Sequence, residues 1–385
     1  MANKQFCYIG NWGKDSTSIG YTVCKFEPKT GRITPLETQF PGLSVGAHCV
    51  DNEKHLLYTA DEKSEYPGMR HGGGGEVHCY SIDPQSGHLT LVNSKPSYGV
   101  MTSYVARDPN GEFLVATNHG SRSYVTHIVQ DEHGKYRQDV LHDDATVALY
   151  RLNPDGSIGD ACDVYFAQGT GPDPQQFMPH LHSVVFAPDG AFFLVCDKGG
   201  DQIFTFQIDR EQGKMIPVTE PAFWSQPGSA PRYSTFHPTR PFVYANNEFK
   251  PYLNCLKYDL DGNLDLIEEV PGYPWKVDGW EKGMQSALHV SKDGNYLYSL
   301  VRNPDVISVY RIDQDTGKLT PLQMIKTEAQ NLRGAALSPD ERFLLVAAIG
   351  SHQVLSFPIG EDGLLQEAIC IVEQPTPCCI AFFPA

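Results

Sequence analysis

The sequence predicts an all-β chain folded as a seven-bladed β-propeller. Three observations predict it: a glycine turn that occurs seven times, a strand–turn–strand block that occurs six times, and two chain ends that together supply a seventh block.

The turns carry Gly31, Gly87, Gly156, Gly213, Gly262, Gly317 and Gly363, as in PKTGRITPL, DPQSGHLTL and DQDTGKLTPL. They recur about every 55 residues, within the range of propeller repeats. Each follows a strand-like run such as EVHCYSI or ISVYRI, so each reads as the turn between the last two strands of a blade. The second block has an apolar run, a Pro/Asp/Gly-type turn and an FLxV-like run. Its copies are HCVDNEKHLLYTA, YVARDPNGEFLVATN, SVVFAPDGAFFLVCD, YSTFHPTRPFVYANN, LHVSKDGNYLYSLV and AALSPDERFLLVAAI. The seventh is divided between CCIAFFPA at the end and FCYIGN at the start. A blade shared by the two termini pins the last blade to the first and leaves no open joint in the ring. Residues 1–385 therefore read as one propeller domain, with polar insertions near 63–76 and 122–146.

Composition narrows the partners. Thirty Lys and Arg against 46 Asp and Glu give a formal charge of −16, which repels nucleic acid and anionic membranes. No apolar run approaches the roughly 18 residues of a membrane span. The opening MANKQFCYIGNW has no charged segment followed by an apolar stretch, so no secretory leader is expected. The ten cysteines are scattered without a CxxC pair, which fits reduced thiols in a cytoplasmic protein.

In a propeller the innermost strands line a central channel. Residues at their starts, and at the ends of the strands that follow, face one mouth. Those positions hold His48, Tyr104, His180, His182, Arg232, Gln285, His289 and Arg333 at the inner-strand starts. The following strand ends hold Glu62, Asn118, His119, Lys198, Glu248 and Arg302. Any one of these polar residues is compatible with a merely wet channel. Three arginines and several histidines converging in a chain of charge −16 instead mark a site for an anionic or carbonyl-rich small molecule.

The order YIGNW, NHGS, GPDPQQFMPHLHSVVFAPDG, APRYSTFHP, ANNE, LHVSKDGNYLYSLVRN, LRGAALSPDERFLLVA resembles the seven-bladed propeller lactonases. That family includes propeller-type 6-phosphogluconolactonases and carboxymuconate cyclases, and the similarity runs from residue 6 to 384. The resemblance implies a pocket in which His180 and His182 match the family's histidine pair. Arg232, Glu248, Arg302 and Arg333 match its arginines and glutamate. Two departures stand out: Ala287 and Gly334 occupy positions that are often acidic in the family. The two insertions could cap the mouth, which leaves the identity of the substrate open.

Opening a lactone needs an activated water and donors for the oxyanion. No G-x-S-x-G elbow is present, so a covalent acyl-enzyme is not expected. Glu248 or His182 serves as base, and the guanidinium groups of Arg232, counted with the catalytic residues, and Arg302 stabilise the oxyanion or bind a carboxylate or phosphate of the substrate. His180, Arg302, Arg333, Asn118, His119, His48 and His289 are the expected substrate contacts. The His180/His182 pair admits three readings. It is a zinc half-site completed by His48, His119 or His289, a structural cap on a strand, or part of a metal-free pocket. The last is adopted, so no metal and no cofactor is expected. Gly72–Gly75 lack the Lys-Ser/Thr of a phosphate loop and read as a rim loop, with Arg70 and His71 beside the substrate. The expected reaction is hydrolysis of a sugar-acid lactone to the hydroxy acid. A muconate-type cycloisomerase in the same pocket and a non-catalytic protein-binding propeller are the alternatives.

Overall fold

A computed structural model describes residues 5–13, 17–69, 71–218, 222–275 and 283–384. Seven antiparallel sheets of at least four strands are arranged as blades, each running outward from one inner strand. In order from the first blade, the inner strands are Pro377–Pro384, Val45–Asp51, Thr102–Arg107, Leu181–Phe186, Pro231–Phe236, Met284–Val290 and Leu332–Leu337. The first blade joins the termini, because Gln5–Asn11 pairs antiparallel with Pro377–Pro384.

The second strands, such as FLVATN, FFLVCD and FLLVAA, are buried along their whole length. Both faces of each blade pack on a neighbour, so continuous apolar runs replace alternation. Among the described residues, each seam between adjacent blades holds a buried apolar cluster. Each fully buried aliphatic or aromatic side chain in them contributes about 1.5–3 kcal/mol.

The seven repeated glycines all join third to fourth strands, with φ between 65° and 91°. Their conformation is only half of the reason for glycine. A Cβ at Gly31 would lie 2.4 Å from the Phe343 ring of the neighbouring blade. Four seams also carry a tyrosine hydroxyl that donates to the turn glycine's carbonyl: Tyr8 to Gly87, Tyr58 to Gly156, Tyr244 to Gly317 and Tyr298 to Gly363, at 2.7–3.0 Å. The turn thus latches each of these blades to the one before it.

The 122–146 insertion forms a hairpin, Tyr124–Gln130 with Tyr136–His142, between the second and third strands of the third blade. The 63–76 loop is tied down, with Gly75 N–H donating to Gly99 O and Gly74 N–H to Ser64 O. Arg70 lies outside the described residues, and His71 is exposed.

Candidate active site

Near its start every inner strand carries a β-bulge, an extra residue with no partner on the second strand. Leu181 pairs with Asp197 and Ser183 with Cys196, which leaves His182 unpaired. The same shift frees Gly46, Ser103, Arg232, Arg333 and Cys378, and in the sixth blade Ser286 and Ala287 together oppose Leu300. A bulge bends the strand and re-aims a side chain. Seven bulges at one level make one ring around the channel mouth.

A second ring follows from the ends of the second strands: Trp12, Glu62, His119, Lys198, Glu248, Arg302 and Ile349. Except at Arg302, which pairs with Met284, each backbone N–H donates to the residue just before an inner strand, as Lys198 does to His180 O and Glu248 to Ala230 O. The backbone therefore fixes where these side chains start.

The two rings converge on Glu248. Lys198 Nζ lies 2.7 Å and Arg232 Nε 2.9 Å from its Oε2, and Arg302 Nη2 lies 3.0 Å from its Oε1. All four side chains are buried. Burial pushes the Glu248 carboxyl upward, but Lys198, Arg302 and Arg232 outweigh it and hold the group well below the usual carboxylate range. One anion and three cations leave a local excess of positive charge. Several polar atoms here have no hydrogen-bond partner among the described residues: Arg232 Nη1, Arg302 Nε, both amide atoms of Gln285 and His182 Nδ1. Buried donors without partners are costly, and a concentration of them marks a place where a ligand completes the bonding.

His182 lies beside this cluster, edge-on to Tyr233 at 5.0 Å and to His119 at 6.4 Å. Burial, then Arg232 and Lys198, push its imidazole well below 6.5, so it is neutral at pH 7. Burial brings Lys198 down to about 8, against the opposing pull of Glu248.

Arg333 organises the other side of the mouth. It lies 3.8 Å from Glu62 Oε2, its Nε donates to Cys378 Sγ at 3.1 Å, and its guanidinium sits 5.4 Å from the Trp12 ring. Burial raises Glu62 to about 7 against the pull of Arg333. The Cys379 hydrogen bond, then Arg333, pull the Cys378 thiol down. Glu62 and Lys198 were among the mouth positions of the sequence but not among its chosen site residues. Cys378 was read only as part of the closing strand.

Four expected contacts fall elsewhere. His180 precedes its strand, and the bulge at His182 breaks the alternation that would have aimed the two together. Its Nδ1 and Nε2 lie 3.0 Å and 3.1 Å from the carbonyls of His119 and Gln175, which makes it a support stacked beneath His119 at 4.4 Å. The Asn118 amide donates to Thr146 Oγ1 of its own blade and to Ser97 O of the connection from the second blade, so it braces the rim. His48 sits two residues past its bulge, with Nδ1 3.0 Å from Tyr21 Oη, and burial lowers it to about 4. His289 lies near the far end of its strand, with Nε2 2.8 Å from Ala335 O. Both line a cavity of about 710 Å³ that runs from Tyr104 and Tyr233 to the opposite face. Tyr104 and Tyr233 meet edge-to-face at 5.7 Å and form the floor under the rings.

Residues 6–382 match the family described as lactonase, 7-bladed beta-propeller. The chain belongs to that family. Among lactonase relatives, the 6-phosphogluconolactonase of Bacillus subtilis (strain 168) is 25% identical over 382 residues, covering 98% of both chains. That of Cronobacter sakazakii (strain ATCC BAA-894) is 26% identical over 339 residues, covering 82% of this chain and 94% of its own. The solved structure of the Pseudomonas aeruginosa periplasmic gluconolactonase superposes with a TM-score of 0.83 at 25% identity, covering 99% of both chains. The chain is accordingly an enzyme of the lactonase class, a carboxylic-ester hydrolase.

Proposed function

We propose that the chain hydrolyses an anionic sugar-acid lactone of the 6-phosphogluconolactone type by metal-free attack of water at the two-ring mouth. The observation that carries this is the buried excess of positive charge around Glu248 beside a neutral histidine. The names of the relatives point to the same substrate class.

The charges divide the roles. A carboxylate held far below its usual range by three cations is a weak base, so Glu248 positions Lys198, Arg232 and Arg302. His182, neutral and with Nδ1 unpartnered, takes the proton from water as the water oxygen bonds to the lactone carbonyl. The free guanidinium N–H groups of Arg232 and Arg302 stabilise the oxyanion or hold the substrate's anion. The ring C–O bond then breaks, and the alkoxide takes the proton back from His182. The new carboxylic acid gives its remaining proton to solvent, and the product hydroxy acid leaves as its carboxylate.

The test is pH-stat hydrolysis of a panel of phosphorylated and unphosphorylated lactones. Wild type should turn over members of the panel above background, equally with and without chelator. Arg232→Ala should lose about 10²–10³ in kcat. No turnover on any lactone would sink the reading and favour a cycloisomerase, for which the second cationic locus at Arg333 supplies an anchor for a second carboxylate. Strict dependence on added metal would sink the metal-free step.

A pH effect follows from Lys198. Its ammonium is charged below about 8 and neutral above. KM for an anionic lactone should therefore rise several-fold as pH passes about 8, after subtraction of spontaneous hydrolysis. Lys198→Arg, which stays charged, should remove that rise, and a wild-type KM flat from about pH 7 to about pH 9.5 would contradict it.

A cytoplasmic location belongs to the same proposal and is supported by ten unpaired thiols. Recovery in a periplasmic fraction of the source cells would oppose it.

A further inference from the structure

Outside the two rings, the second blade carries a cluster with no part in the chemistry above. Asp61 ends the blade's second strand, and Glu76 and His78 begin its third. Asp61 and Glu76 are cross-strand partners, while Glu76 and His78 share one face. One donor atom from each of the three lies within 4.8 Å of the others.

Two of the three donors are each fixed by a hydrogen bond at one atom, which turns the second atom toward the cluster. Asp61, 1% exposed, accepts the Ser44 N–H at Oδ1, 2.9 Å away. His78, 8% exposed, has Nδ1 2.7 Å from Ser94 Oγ. Its Nε2 has no hydrogen-bond partner and lies 3.6 Å from Asp61 Oδ2, beyond hydrogen-bonding reach. Anchoring one imidazole nitrogen so that the other is presented is how proteins prepare a metal-ligating histidine. The cluster opens on a cavity of about 520 Å³ that also exposes Glu65 and Lys63. Lys63 Nζ, 2.6 Å from Asp61 Oδ2, is the one ammonium against three carboxylates among the described lining residues. Those residues keep a net negative charge with Lys63 in place.

We propose that Asp61, Glu76 and His78 form a binding site for a first-row divalent cation, with one imidazole and two carboxylates as ligands. The cation displaces the Lys63 ammonium from Asp61 Oδ2. The ligands flank residues 62–75, so the ion clasps the two ends of the long rim loop, one residue from Glu62 of the strand-end ring. The site is independent of the lactonase reading, and its readout is binding.

The experiment is calorimetric titration of chelator-treated, buffer-exchanged protein with zinc chloride. Wild type should bind one equivalent, and His78→Ala should lose at least about tenfold in affinity, in line with disruption of a metal site. Lys63→Ala should bind more tightly than wild type, because a competing cation is gone. Glu76→Gln, at a half-buried position, gives the same loss without opening the core and serves if His78→Ala does not fold. Equal zinc affinity in wild type, His78→Ala and Glu76→Gln would overturn the site. So would an absence of zinc binding in both wild type and Lys63→Ala.

Discussion

Replacing Glu248 with glutamine is expected to cost the folded chain about 3–5 kcal/mol, the usual price of removing one partner from a buried ionic cluster. Glutamine keeps the volume and one carbonyl acceptor but leaves Lys198, Arg232 and Arg302, all buried, with no anion among them. Mutual repulsion and desolvation then act without compensation. The measurement is denaturant unfolding followed by tryptophan fluorescence, with and without inorganic phosphate. Phosphate should restore part of the loss in the variant, because an anion that binds only the folded site stabilises by mass action.

The pH dependence has a fixed sign. In the fold Glu248 is held below its unfolded value, so its contribution is present above the ordinary carboxylate range and is lost only as pH falls toward the depressed value. The deficit of the variant should therefore be full at pH 7 and shrink in strong acid. A loss under about 1 kcal/mol at pH 7 would mean that the three cations are solvated, and the site as described would not exist.

The ring itself was legible in the sequence, for a physical reason. Third-to-fourth-strand turns need a residue that tolerates positive φ and a neighbour's side chain close by, so glycine recurs and sets the period. Second strands buried on both faces must be continuously apolar, so FLVATN and FLLVAA are recognisable without any partner in view. The strand-end column was legible too, because it follows directly from where those runs stop. That is how Glu62, Lys198, Glu248 and Arg302 came together.

The bulges were not legible. An extra residue opposite a second strand has no compositional signature, since Gly46, Ser103, His182, Arg232 and Cys378 share no property. Without the bulge, His180 and His182 look like one alternating pair. With it, one is a site residue and the other a brace. His48 and His289 were misplaced for a related reason. Runs such as SVGAHCVD do not show where pairing begins, and the strand starts at Val45, three residues before the histidine. Cys378 was passed over because its distinguishing contact, Arg333, comes from another blade.

The most direct test of the account compares two histidines that the sequence placed together and the fold separates. His182 stands in the bulge ring beside Arg232, whereas His289 lines the channel toward the opposite face. Turnover of the best lactone should fall about 10²–10⁴-fold in kcat for His182→Gln, the range for loss of a general base, with KM little changed. His289→Gln should stay within a few-fold of wild type, since its Nε2 is held at a backbone carbonyl away from the two rings. That pattern places the chemistry at the two-ring mouth. The reverse, with activity kept by His182→Gln and lost by His289→Gln, would move it to the other end of the channel and contradict the account.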